Sequence, residues 1–214
     1  MALNKERPNV KRKLFSGLTA VALVAISGLT PAVADSGKAG QSMTHIKTLP
    51  GITKVLEGSG VILYVQGGAT SAVIGDSIAA DAGQVVFHVP ITGTKSGVGH
   101  VGSNIVFFNT TNDKSLVLRN PVIDLAAGTI TATIPQADNA AVAVLNITNG
   151  GALKAKVTND RKAKQRTTAY VGAAISLAPG VAATVASVLG LPAGALPDGL
   201  AFATADVTLY SKIK

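Results

Sequence analysis

The stretch Gly128-Thr129-Ile130-Thr131-Ala132-Thr133-Ile134 decides the fold class. Ile130, Ala132 and Ile134 fall on one face and the three threonines on the other, the period of two that a strand buried on one side requires. The turn Ala126-Ala127-Gly128 joins it to Val122-Ile123-Asp124-Leu125, which together read as a hairpin. Upstream the pattern recurs: Val85, Phe87, Val89 and Ile91 share a face, while Val86, His88 and Pro90 take the other. Residues 104–109, a turn at 110–114, and residues 115–119 form a further hairpin signal. Strands are also expected at 60–66, 141–147, 153–157, 168–177 and 203–210, with a first strand signal near Gly51.

Between these segments, residues 67–83 read as a small-residue connection with a helical turn at Ser77 to Ala80, and residues 93–102 as a glycine-rich loop carrying His100. One helix stands out. Pro179 suits its first turn, Val181, Val185, Val188 and Leu189 recur at helical spacing, and Gly190 ends it. The expectation is an all-β, two-sheet sandwich-like domain over residues 51–214 with one short C-terminal helix. The abundance of Ala, Val, Thr, Gly and Ile agrees with pleated strands joined by glycine turns.

Residues 1–34 read as a cleavable export signal. Lys5, Arg7, Lys11, Arg12 and Lys13 form a basic head, an apolar run follows from Leu14 to Leu29, and Ala32-Val33-Ala34 supplies small residues for cleavage after Ala34. The run is broken by Ser16, Gly17, Ser27 and Gly28 and is shorter than the about 20 residues of a spanning helix. The expected localisation is therefore secreted, with retention at the cell envelope as a variant. Residues 35–50, rich in Gly, Ser and Lys, read as a flexible leader in which His45 is solvated. No later stretch is apolar enough to span a bilayer.

Charge and composition exclude several classes. The whole chain carries +8, but beyond Ala34 only 14 basic and 10 acidic groups remain, a net +4. That is not the composition of a nucleic-acid-binding surface. The absence of cysteine removes thiolate catalysis, cysteine-ligated zinc and iron–sulfur clusters. The 180 residues from Asp35 onward bury enough surface to fold without disulfide staples. Glu57 is the single glutamate of this part, and the whole chain has three histidines. Asp113, Asp124, Asp138, Asp160, Asp198 and Asp206 fall mostly in or beside turns, where a carboxylate bonds backbone amides. No catalytic constellation emerges, and the expectation is a non-catalytic binding or envelope protein.

The runs Phe87-His88-Val89-Pro90-Ile91-Thr92-Gly93, Gly99-His100-Val101-Gly102-Ser103-Asn104-Ile105-Val106-Phe107 and Leu116-Val117-Leu118-Arg119-Asn120-Pro121-Val122-Ile123-Asp124 carry a resemblance. With Gly128-Thr129-Ile130-Thr131-Ala132 and the ending Gly199 to Val207, they are similar to the HtaA-like, haem-transport-associated domains of actinobacterial surface proteins. The resemblance implies an extracellular all-β domain. In haem-binding members it implies a tyrosine iron ligand with a supporting histidine, for which Tyr64 and His100 are the nearest positions, with His88 as the alternative histidine. The aromatic-rich motif that accompanies that ligand is missing, and the chain has no tryptophan. No cofactor is therefore expected, with haem capture as the alternative and an enzyme with an unrecognised site as a third reading.

Two other features bear on binding. His88 and His100 lie 12 residues apart without a third ligand at metal-site spacing, so no metal site is assigned. Lys154, Lys156, Arg161, Lys162, Lys164 and Arg166 form the densest basic segment, suited either to contact with anionic envelope polymers or to a solvated edge hairpin protected by lysine. Self-association through exposed strand edges is the other partner expectation.

Overall fold

The computed structural model describes residues 41–75 and 81–213. The expected export signal, the first part of the expected leader and the helical turn expected at Ser77 to Ala80 lie outside them. The class is all-β, but the strands form one antiparallel sheet that curls nearly into a barrel, where two facing sheets were expected. The main path runs β2 (Val61–Gly67), β6 (Ser103–Asn109), β7 (Lys114–Asp124), β8 (Thr129–Ile134), β9 (Ala140–Ile147), β11 (Gln165–Leu177), β12 (Ala201–Lys212), β1 (Met43–Thr48), β4 (Gln84–Pro90) and β3 (Thr70–Ile74). Two short strands hang from it: β5 (Val98–Gly99) pairs with β7, and β10 (Lys156–Asp160) with β11. The two ends of the path, β2 and β3, are separated in the chain only by Gly68 and Ala69, so the covalent connection itself draws the edges of the sheet together.

The alternation is common to a sandwich and a barrel, because it reports which face of a strand is buried, and both bury one face. Inward positions are apolar: Val85, Phe87 and Val89 on β4, Ile105 and Phe107 on β6, Ile130, Ala132 and Ile134 on β8, and Ala203, Ala205 and Val207 on β12 are all buried. The outward partners on the same strands include His88, Asn104, the β8 threonines and Asp206. An apolar inside with polar residues outside is the reverse of the lipid-spanning barrel pattern.

Four local expectations are corrected. The leader ends early, because Met43–Thr48 is a strand paired on both sides, to β12 and β4. Its inward residues are Thr44, Ile46 and Thr48, and two inward threonines conceal the apolar alternation that marks the other strands. Thr48 is wholly buried and its Oγ1 accepts the Val85 amide at 2.9 Å. The segment near Gly51 is a helix, α1 (Ile52–Gly58), which places Ile52 and Leu56 in the core one turn apart. Within the expected connection, Thr70–Ile74 is an edge strand that is largely exposed and so has no apolar rhythm. Finally, the two hairpin strands expected at 115–119 and 122–125 are one bent strand, β7, with a register shift between Arg119 and Val122 and Asn120 at a φ of 49°.

The expected helix is α2 (Ala182–Leu189), ended by Gly190 at a φ of 64°. It packs against β6 and β7, burying Ala182, Val185, Ala186 and Leu189. Its last carbonyls are orphaned as in any helix, and side chains from the β6–β7 turn take them. Asn109 Nδ2 donates to Leu189 O at 2.8 Å and Asn112 Nδ2 to the same oxygen at 3.1 Å. Among the described residues no helix is long and apolar enough to cross a membrane.

Candidate functional site

His100 is 1% exposed and sits inside the barrel, with Thr44 of β1 on one side and the β7 bend on the other. The bend matters because the bulge at Asn120 and Pro121 re-aims a carbonyl away from the strand ladder. Pro121 O accepts both the His100 amide, at 3.1 Å, and its ring Nδ1, at 2.9 Å. A carbonyl oxygen only accepts, so Nδ1 carries the ring proton and Nε2 accepts from the Thr44 hydroxyl 2.8 Å away. Burial lowers the His100 pKa, opposed by the bond to Pro121. Both ring nitrogens are thus engaged, and burial favours the neutral form. The loop behind it is strapped down as well: Gly102 N donates to Asn120 Oδ1 at 2.8 Å and Val101 N to Thr92 Oγ1 at 2.8 Å.

The space beside His100 is filled. A void of about 10 Å³, bordered by Ile46, Val89, Ile105, Leu118 and Ile123, is all that remains there. That is about the space of a single water. A second void of about 20 Å³ lies under α1 beside Thr53, Leu56 and Val61. Neither accepts an organic ligand, since such pockets run to hundreds of cubic ångströms.

Tyr64 is on the other side of the wall. On β2, Leu63 and Val65 pack against the core, so Tyr64 between them points outward, in register with Val106. The structure therefore does not bring Tyr64 and His100 together, and the histidine has no free nitrogen to support an iron ligand. His88 and His100 are likewise apart in orientation: His88 projects from β4 to the outside and meets His45 on β1, the two ring centroids lying 4.7 Å apart at 77°. Sequence reading overlooked that pair because it assigned His45 to the leader.

The aspartates behave as turn residues do. Asp124 Oδ1 accepts the amides of Ala126 and Ala127, Asp160 Oδ1 those of Lys162 and Ala163, and Asp198 Oδ1 that of Gly180. Asp113 and Asp138 occupy left-handed turn positions. Asp206 differs, lying within β12, where its Oδ1 accepts the Gly172 amide opposite.

The basic segment is brought together as the β10–β11 hairpin, whose strands pair from Lys156↔Ala169 to Asp160↔Gln165. Its turn, Arg161-Lys162-Ala163-Lys164, is set by the Asp160 carboxylate and by Lys164 at a φ of 49°. All of Lys154, Lys156, Arg161, Lys162, Lys164 and Arg166 are exposed, and Lys212 joins them across from Gln165. Every residue of β10 is exposed, so the hairpin stands clear of the core. Among the described residues the ion pair is Lys54 with Asp81, and none of these cations takes part in it.

No family model matches the chain, and no curated protein or solved structure matches it.

Proposed function

We propose that the protein is a non-catalytic binding component of the exported, envelope-associated class, and that its working surface is the β10–β11 hairpin with its partner an anionic polymer. The observation that carries this reading is the contrast in charge satisfaction. Six cations over residues 154–166, with Asp160 as the sole acid among them, protrude without ionic partners among the described residues. A charged group left free in water keeps its long-range field, and several on one short hairpin add their attraction to a polyanion. The barrel behind supplies a rigid mount, since the hairpin continues directly into β11, which pairs with both β9 and β12.

Haem capture through Tyr64 and His100 gains no support from a geometry that places the two residues on opposite faces of the wall. An enzymatic reading gains none either, since His100 and four of the aspartates have backbone partners that account for them. The test is calorimetric titration with a soluble poly(glycerol phosphate) at low and at physiological salt. The expected result is saturable binding that weakens as salt rises and is lost when Arg161, Lys162 and Lys164 are all replaced by serine. Binding that is unaffected by both changes would overturn the proposal.

A further inference from the structure

On the outer face of the barrel, far in sequence from the basic hairpin, four strands align one row of side chains. Asp206 of β12, His45 of β1, His88 of β4 and Thr70 of β3 are successive register partners. Two of the three histidines of the chain are therefore neighbours across a single strand pair, on adjacent, rigid, centrally paired strands. We propose that His45 and His88 form a bidentate surface site for a divalent transition-metal ion, with water completing the coordination.

The geometry fits chelation without rearranging the backbone. Two imidazole nitrogens bound at about 2.0 Å to one ion, at about 90 to 110°, place the ring centroids about 4.5 to 5.2 Å apart. The observed separation is 4.7 Å. The third ring of the chain is locked indoors by Thr44 and Pro121, whereas among the described residues no hydrogen bond competes for these two. Imidazole must be neutral to ligate, and burial, then the proximity of His88, lowers the His45 pKa, with Asp206 opposing. The charged and polar groups facing the pair are Asp206, Thr204 and Thr208 from β12, Thr70 from β3 and Lys47 two residues along β1. Asp206 offsets the charge of an arriving cation and Lys47 opposes it. Among the described residues no group of three or more ligating side chains is arranged for a metal, so this is a two-ligand site. Its preference follows the usual order for imidazole donors, in which copper(II) binds most tightly of the first-row divalent ions.

The probe is copper(II) chloride, titrated into the full chain at neutral pH and followed by calorimetry and electron paramagnetic resonance. One equivalent is expected to bind with the hyperfine pattern of two nitrogens. His45→Gln and His88→Gln should each weaken binding by about a hundredfold, because the second ligand of a chelate acts at high effective concentration. In the unmodified protein, substoichiometric copper should broaden the ring proton resonances of His45 and His88 before those of His100, a readout that does not depend on the variants folding. Equal binding in either variant, a single-nitrogen pattern, or broadening that starts at His100 would overturn the assignment.

Discussion

The barrel interior around His100 and the β10–β11 hairpin both carry polar groups on strands or loops of one sheet, yet they solve opposite problems. Inside, polar side chains are held by defined partners: His100 by Thr44 and Pro121, Thr48 by the Val85 amide, Asn109 by Leu189 O. No buried side-chain nitrogen or oxygen among the described residues lacks a hydrogen bond. On the hairpin, six cations face water, and none forms an ion pair among the described residues. A satisfied buried group rigidifies the fold and offers nothing to a ligand, whereas an unsatisfied exposed one costs the fold little and remains available. Polar chemistry in this molecule is structural where it is buried and free to bind where it protrudes.

That contrast is broken most severely at His100. Truncation in His100→Ala leaves Thr44 and the Pro121 carbonyl without their partner and opens a cavity, so urea denaturation should show a loss of about 3 kcal/mol. The same residue sets a pH dependence. Its pKa is depressed in the folded state, so the unfolded chain binds the proton more readily. Stability is full above about pH 6.5 and falls as the pH drops below it, and in His100→Ala that part of the slope should flatten. His45, also depressed, contributes in the same direction, and His45→Gln distinguishes the two.

A smaller loss is expected at the α2 terminus. Asn109→Ala removes one of two donors to Leu189 O, and with Asn112 still in place the cost should be about 1 to 1.5 kcal/mol by the same measurement. On the hairpin the sign reverses. Lys164 holds a left-handed backbone that favours glycine, so Lys164→Gly should raise stability by up to about 1 kcal/mol while weakening polyanion binding. Smallest of all, serine at Arg161, Lys162 and Lys164 together should shift stability by less than about 0.5 kcal/mol.

How much of this was legible in the sequence depends on what each residue does for the fold. The strands with apolar inward faces, such as β4 and β8, declare themselves by alternation, and α2 by its stripe and terminal glycine. Strand β1 does not, because its inward threonines are justified only by His100 and Val85, which are distant in sequence. Closure of the sheet is equally hidden, since inward alternation is the same in a barrel and a sandwich. The six cations of the hairpin were legible because charge needs no partner to be read. The role of His100 was not, because it is defined by a bulge at Pro121 that no local pattern announces, and the His45–His88 pair exists only through register.

The central claim, that polyanion binding belongs to the protruding hairpin and not to the barrel, is tested most directly by mapping amide chemical shifts during titration with poly(glycerol phosphate). The account predicts perturbations concentrated at residues 154–166 and Lys212, with the amides around His100 and Ile123 unmoved. Shifts centred on the barrel wall or its interior, with the hairpin unaffected, would contradict it.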